Sequence, residues 1–148
     1  MPAGRKYQFS FDSLAQSTGA FTDAELLKHN TEESPTPILT GEDIYLKEGF
    51  RVLCENHAVD KIHPDSATSG GILETKKIRD MAWEYGVPIA LHAGGTPVSC
   101  MATVHSAAAT LNLLAYENHS LDLPWWSDIV EESRNRSSIT GGLPCLTS

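Results

Sequence analysis

The sequence predicts an α/β fold in which about four strand-helix units form one parallel sheet. Between Pro35 and His119, a short apolar run, a polar residue, a turn rich in Gly or Ser and an amphipathic stretch follow one another repeatedly. This alternation is typical of a parallel sheet, because parallel strands need a helical crossover between them. In addition, each apolar run ends on a residue that is able to do chemistry. The two observations together predict the fold class and the place of a site.

The strands are predicted from four apolar runs, at about residues 37 to 42, 59 to 64, 87 to 91 and 113 to 117. The spacing between the runs leaves room for one helix in each connection. Parallel strands joined in this way lie side by side with their carboxyl ends at the same edge of the sheet.

The predicted helices carry apolar residues at a spacing of three and four. Their apolar faces are Leu46, Phe50 and Leu53 after the first strand, Ile72, Ile78, Ala82 and Tyr85 after the second, and Val98, Met101, His105 and Ala108 after the third. Gly86 is expected to end the second of these helices, and Pro97 to begin the third. The stretch from Asp23 to Asn30 predicts one more helix, ahead of the first strand.

Composition restricts the classes of partner. The chain has 148 residues, 41% of them hydrophobic, and a formal net charge of −8. Nucleic acid and anionic membranes are not expected as partners, because both call for clustered Lys and Arg. Since no apolar run reaches membrane-spanning length and no leader pattern is present, a soluble cytoplasmic protein is expected. Cys54 and Cys100 are expected to be small buried apolar residues, and Cys145 completes no disulfide or zinc spacing.

The four strand ends carry Glu42, Asp65, His92 and Glu117. Taken singly, each has a structural interpretation as a helix-start acid, a turn residue, a hydrogen-bonded histidine or a solvated loop residue. In parallel sheets, however, ligands bind at the carboxyl ends of the strands. Because a polar residue recurs at all four corresponding positions, we expect the four side chains to face one end of the sheet and to form a site.

Some residues near these ends are harder to interpret. Strand alternation puts Lys61 and His63 on the same side as Asp65, so His63 is expected to point towards the site. A lysine deeper in the sheet has no evident role. His105 lies on a helical face and is expected to be structural. The pair Trp125-Trp126 is expected to pack against the protein rather than to stack on bases.

Four groups of motifs occur in order along the chain. They are Pro35-Thr36-Pro37-Ile38-Leu39-Thr40-Gly41-Glu42, Pro64-Asp65 with Gly70-Gly71-Ile72-Leu73-Glu74, Ala90-Leu91-His92 with Pro97, and Tyr116-Glu117-Asn118-His119. Together they resemble the later barrel strands of the mandelate racemase and acid-sugar dehydratase branch of the enolase superfamily. The resemblance implies about the last four βα units of a (β/α)8 barrel at residues 21–130. Residues 1–20 are then an uncertain N-terminal segment, and residues 131–148 are expected to be an irregular tail.

The resemblance also implies a Mg²⁺-dependent dehydratase of a small sugar acid. Glu42 would be one of three carboxylates that hold the ion. Asp65 and His92 would form a dyad in which the carboxylate orients the imidazole, and Glu117 would hydrogen-bond the substrate carboxylate. Removal of the proton next to that carboxylate gives an enediolate, which a divalent cation stabilises. Loss of a β-hydroxyl then yields a 2-keto-3-deoxy acid.

The sequence also departs from the family pattern. The first two metal carboxylates of the family have no matching motif, and Phe11-Asp12-Ser13 is the nearest remnant. The chain alone is therefore expected to bind Mg²⁺ weakly and to be inactive. Three alternatives stay open: a racemase or epimerase of a 2-hydroxy acid, a non-catalytic remnant, and a generic sugar-acid or metal-binding module. The remnant would associate through open barrel edges, for example as a homo-oligomer.

Overall fold

A computed structural model describes residues 23–118, 124–129 and 145–146. Its centre is a sheet of five strands that lie in chain order, and each neighbouring pair is parallel. The strands are β1 (Leu39–Thr40), β2 (Lys61–Ile62), β3 (Ile89–Leu91), β4 (Leu113–Glu117) and β5 (Cys145–Leu146). The predicted parallel α/β sheet is confirmed. The sequence did not predict β5, which falls where no period is visible, and Asp12 and His119 lie outside the described residues.

The helices are α1 (Ala24–Glu33), α2 (Leu46–Glu55), α3 (Ile72–Glu84) and α4 (Pro97–Ala108), and a short 3₁₀ helix spans Trp126–Ile129. Helix α1 begins after Asp23, whose Oδ1 accepts the N–H of Leu26 at 3.1 Å. Helix α4 begins with Pro97 after the capping residue Thr96. Within the described ranges, no helix combines the length and the apolar character that a membrane crossing requires.

Gly86 terminates helix α3 two residues after its last residue, Glu84, as predicted. Gly86 has a φ of +68°, a left-handed conformation that glycine adopts without a steric penalty. Its N–H donates to the carbonyl of Trp83 at 3.1 Å, and the N–H of Val87 donates to the carbonyl of Ala82 at 2.8 Å. This pair of bonds is the Schellman motif, which satisfies the last carbonyls of the helix. The chain then enters β3 within three residues.

The core lies between the sheet and the helices. The predicted residues Phe50 and Leu53 of α2 and Ile78 and Ala82 of α3 are fully buried. Three other predicted members are at least one third exposed: Leu46 (50%), Ile72 (51%) and Tyr85 (36%). They lie at the first position of a helix or just past its last, at the helix ends rather than in the middle of a buried face. Cys54 and Cys100 are buried and unbridged, as expected.

The predicted apolar face of α4 is wrong. Its members Val98, Met101, His105 and Ala108 are all exposed, and the buried residues of the helix are Pro97, Cys100, Thr103, Ser106 and Ala107. The two hydroxyl residues can be buried because they donate within the helix. Thr103 Oγ1 donates to the carbonyl of Ser99 and Ser106 Oγ to the carbonyl of Ala102, both at 2.9 Å. Burial of a hydrogen-bonded hydroxyl carries little penalty. The polarity of Thr103 and Ser106 was therefore a poor guide to which face of α4 is buried.

Candidate active site

Backbone hydrogen bonds align the ends of the first three strands and continue past the strands themselves. The N–H of His63 donates to the carbonyl of Thr40 at 2.8 Å, and the N–H of His92 donates to the carbonyl of Pro64 at 3.1 Å. Asp65 and His92 form a parallel bridge beyond β2 and β3. The polar residues that follow these strands are therefore held at one edge of the sheet.

Gly41 turns the chain from β1 towards Glu42. Its φ of +135° is a conformation that residues with a side chain rarely adopt. A Cβ at this position would lie 2.6 Å from Cε1 of Phe50, which is far inside van der Waals contact. Glycine is therefore the residue that fits against the Phe50 ring at this position. The turn that it makes places Glu42 at the carboxyl-terminal edge of the sheet.

Asp65 and His92 form a hydrogen-bonded pair. His92 Nδ1 lies 2.6 Å from Asp65 Oδ2, and Asp65 Oδ1 accepts the N–H of Ala67 at 2.6 Å. Burial opposes the ionisation of Asp65, but the hydrogen bonds from His92 and Ala67 outweigh it, so the pKa of Asp65 is lowered from 3.8. An ionised carboxylate only accepts hydrogen bonds. The proton of the neutral imidazole is therefore on Nδ1, and Nε2 is the nitrogen available for chemistry.

Two further carboxylates face that nitrogen. Glu42 Oε2 lies 3.1 Å from His92 Nε2, and Glu117 Oε2 lies 3.7 Å from it. Burial opposes protonation of His92, but the hydrogen bond to Asp65 and the charges of Asp65, Glu117 and Glu42 outweigh it and raise the pKa of His92 above 6.5. The Glu42 side chain is 37% exposed, whereas that of Glu117 is 2% exposed. The site thus opens to solvent beside Glu42.

The four residues predicted at the strand ends lie together, with three carboxylates around the imidazole of His92. Glu42, Asp65 and Glu117 each place a carboxylate oxygen within 3.7 Å of a ring nitrogen of His92. This geometry is compatible with proton transfer at Nε2, because a base needs an orienting partner and an accessible lone pair. The individual roles of the four residues stay predictions.

A second imidazole lies in the same cluster. His63 is 3% exposed, and its ring centroid lies 5.2 Å from that of His92. His63 Nδ1 lies 2.8 Å from the carbonyl oxygen of Ala90, and Nε2 lies 3.0 Å from Glu117 Oε2. Strand alternation predicted its direction, but the sequence did not reveal its contact with Glu117. Lys61, deeper along the same strand, is also buried.

The donor atoms of this cluster fit Mg²⁺ only in part. Mg²⁺ demands near-octahedral coordination by oxygen. Glu42 offers a half-exposed carboxylate, but Asp65 and Glu117 each direct an oxygen at an imidazole nitrogen. The other donors at the centre are nitrogens of His63 and His92, which suit transition metals better than Mg²⁺. Of the predicted residues, Glu42 alone has the character of a Mg²⁺ ligand.

Comparison with known proteins relates most of the chain to one family. The family model for the enolase C-terminal domain-like proteins matches residues 9–138. The D-xylonate dehydratase of Haloferax volcanii is 48% identical over 102 residues, which cover 69% of this chain and 25% of that protein. The D-gluconate/D-galactonate dehydratase of Picrophilus torridus is 33% identical over 91 residues, which cover 62% of this chain and 23% of that protein.

Solved structures give the same relationship. A mandelate racemase/muconate lactonizing enzyme-like protein from Rubrobacter xylanophilus superposes with a TM-score of 0.67 at 36% identity, over 71% of this chain and 27% of that chain. A mandelate racemase/muconate lactonizing enzyme from Sulfitobacter has a TM-score of 0.69 at 30% identity, over 74% of this chain and 27% of that chain. The chain thus spans about a quarter of the length of the relatives that it matches.

Proposed function

Because the chain belongs to the enolase C-terminal domain-like family, as its motifs predicted, we propose that it carries the acid-base part of an acid-sugar dehydratase site. Relatives named as dehydratases of D-xylonate, D-gluconate/D-galactonate and arabinonate support a sugar acid as the substrate. The observation that carries the proposal is the environment of His92. Its Nδ1 is bonded to Asp65, and its Nε2 faces the carboxylates of Glu42 and Glu117.

In the proposed reaction, His92 moves one proton in two steps. Neutral Nε2 takes the proton from the carbon next to the substrate carboxylate, and the imidazolium returns it to the departing hydroxyl, which leaves as water. The resulting enol becomes the 2-keto-3-deoxy acid. Asp65 holds the imidazole in the required tautomer and stabilises its charge. The neighbouring carboxylates raise the pKa of His92, which makes Nε2 a stronger base for the first step.

Glu117 and Glu42 have different parts in the proposal. Glu117 is buried beside Nε2, so its carboxyl group, when protonated, would donate a hydrogen bond to the substrate carboxylate and place the adjacent C–H next to the base. Members of the superfamily typically use Mg²⁺, and Glu42 would provide one ligand for such an ion. A bound divalent cation supplies charge stabilisation for an enediolate. The half-exposed position of Glu42 is compatible with that part.

A chimaera tests the proposal. The segment of the Haloferax volcanii D-xylonate dehydratase that matches this chain over 102 residues would be replaced by the corresponding segment of this chain. We expect the chimaera to form a 2-keto acid from D-xylonate in the presence of Mg²⁺. His92→Asn should lower the rate by about 10²- to 10⁴-fold. His105→Asn is the matched control, because His105 is exposed on α4, and it should retain the rate.

Two results would count against the proposal. A chimaera that folds and binds D-xylonate but does not dehydrate it would show that these residues do not support the reaction. Exchange of the proton at C2 with solvent deuterium, without loss of water, would favour the racemase or epimerase alternative. Circular dichroism of each protein, together with its thermal midpoint, separates a chemical loss from a folding defect.

A further inference from the structure

The imidazoles of His63 and His92 and the carboxylate of Glu117 have the arrangement of a transition-metal site. We propose that they bind a borderline divalent cation, of which Zn²⁺ is the probe, with Glu42 on the fourth side. Such a site differs in ligand chemistry from the oxygen set that Mg²⁺ requires. It does not depend on the proposed dehydratase activity, since it needs only the three side chains and the sheet that holds them.

The separations between the donor atoms are those of a compact coordination sphere. One ligand atom from each of the three residues lies within 4.8 Å of the others. Glu117 Oε2 lies 3.0 Å from His63 Nε2 and 3.7 Å from His92 Nε2. In a tetrahedral zinc site with Zn–N bonds of about 2.0–2.1 Å, neighbouring ligand atoms are roughly 3.3 Å apart. The two distances from Glu117 Oε2 are close to that value, and all three ligand atoms lie within 4.8 Å of one another before an ion binds.

The second nitrogen of each imidazole is already fixed. His63 Nδ1 lies 2.8 Å from the carbonyl oxygen of Ala90, and His92 Nδ1 lies 2.6 Å from Asp65 Oδ2. Both partners only accept hydrogen bonds, so each Nδ1 carries a proton and each Nε2 is the possible ligand atom. Metal-binding histidines are normally oriented in this way, by a backbone carbonyl or a carboxylate on the far nitrogen.

Charge and access also favour a cation. Three carboxylates, those of Glu42, Asp65 and Glu117, belong to the cluster, and strand alternation puts one cationic side chain, that of the buried Lys61, on the same side as His63. The fixed charge is therefore negative when the imidazoles are neutral. The entry path lies beside Glu42 and His92, whose side chains are 37% and 16% exposed. Two nitrogens and one or two carboxylate oxygens are a donor set that Zn²⁺ prefers and that Mg²⁺ does not.

Titration of the purified 148-residue chain tests the site. We expect calorimetry to show one Zn²⁺ per chain that excess Mg²⁺ does not displace. Co²⁺ should give the intense visible bands of four-coordinate geometry, which Zn²⁺ then abolishes. His63→Gln and Glu117→Gln should each weaken Zn²⁺ binding by at least about 10-fold, since each removes a ligand atom. The matched controls His29→Gln and His105→Gln, at exposed histidines of α1 and α4, should leave the affinity unchanged.

Several outcomes would overturn the site. One is a folded chain that binds no Zn²⁺, and another is binding that the control variants weaken as much as His63→Gln does. If the Gln variants fail to fold, Asp65→Asn provides the second test. It leaves all three ligands in place and removes the carboxylate that orients His92, so a loss of about 10- to 100-fold is expected and an unchanged affinity contradicts the site. The chimaera is assayed without Zn²⁺, so either proposal can fail alone.

Discussion

At the scale of single residues, three acidic side chains act on His92 in different ways. Asp65 is bonded to Nδ1 and sets the tautomer, whereas Glu42 and Glu117 face Nε2 and contribute charge. Burial alone would lower the pKa of this imidazole, and the three carboxylates are the reason that the pKa is raised instead. The protonation state of His92 is therefore a property of its neighbours.

We predict that Asp65→Asn lowers the pKa of His92 relative to the unmodified chain. The amide removes the negative charge, whereas the burial that disfavours the imidazolium remains. In the unmodified chain the contribution of this imidazolium to stability is complete below pH 6.5 and is lost as the pH rises through the higher folded-state pKa. Histidine side-chain NMR across a pH series measures the change. An equal midpoint in both proteins would contradict the prediction.

Cys54 is predicted to be unreactive in the native chain. Its burial, and after that the charge of Glu55, raises the pKa of the thiol to about 11. Because the thiolate is the nucleophile, the reactive fraction at pH 8 is very small. Mass spectrometry after iodoacetamide treatment at pH 8 should find Cys54 unmodified in buffer and modified in urea. Equal rates in the two conditions would show that the thiol is accessible.

At the scale of elements, the turn from β1 to α2 decides where the exposed carboxylate of the site lies. Gly41 has the positive φ and the close approach to Phe50, and Glu42 follows it directly. The turn from α3 to β3 has a comparable glycine, Gly86, with a φ of +68° and no atom within 4 Å of a would-be Cβ. The two turns therefore separate the effect of crowding from that of backbone conformation.

We predict that Gly41→Ala destabilises the chain more than Gly86→Ala does. The first change combines backbone strain with crowding against Phe50, for about 2–6 kcal/mol of the free energy of unfolding. The second introduces a left-handed alanine in open space, for about 1–2 kcal/mol. Urea unfolding followed by circular dichroism measures both values. Equal losses would mean that the Phe50 ring moves aside freely.

The elements also show what could be predicted from the sequence. The sequence correctly placed the four strand-end residues at one edge of the sheet, because the carboxyl ends of parallel strands meet at the same edge. These residues are Glu42, Asp65, His92 and Glu117. The contact of His63 with Glu117 was not predicted. His63 follows β2 and Glu117 ends β4, so the contact passes over Ala90 of the intervening strand β3. A sequence indicates contacts between neighbouring strands more readily than contacts between strands that have a third strand between them. The α4 face was misplaced because its buried hydroxyls are satisfied internally.

At the scale of the whole molecule, the sheet has β1 at one end and β5 at the other, and the chain covers about a quarter of its relatives. The described part holds the Asp65–His92 pair and one carboxylate suited to Mg²⁺. The resemblance assigns three carboxylates to the metal, and only Glu42 has a matching motif. The described residues thus include the whole proposed acid-base pair but only one of the three oxygen ligands that the resemblance implies for Mg²⁺.

We predict that the purified chain with Mg²⁺ shows no appreciable dehydration of aldonic acids. One carboxylate leaves Mg²⁺ mostly hydrated, and general acid-base catalysis alone contributes only about 10²- to 10⁴-fold. A screen for 2-keto acid formation from D-xylonate, D-gluconate, D-galactonate and arabinonate measures this, with His92→Asn alongside. Turnover that is lost in His92→Asn would contradict the prediction and would show that other residues or a second copy complete the oxygen set.

The spacing of the dyad along the chain has a consequence for synthesis. Asp65 and His92 are 27 residues apart, one βα unit, whereas His63 and Glu117 are 54 residues apart. During translation the Asp65–His92 hydrogen bond needs only β2, α3 and β3 to have left the ribosome. The contact between His63 and Glu117 needs β4 as well. Contacts between neighbouring units close short loops and form early, since their entropic cost is low. A ribosome-bound chain that ends after α4, joined to a linker long enough to carry α4 out of the exit tunnel, should therefore already hold the Asp65–His92 hydrogen bond although it lacks Glu117.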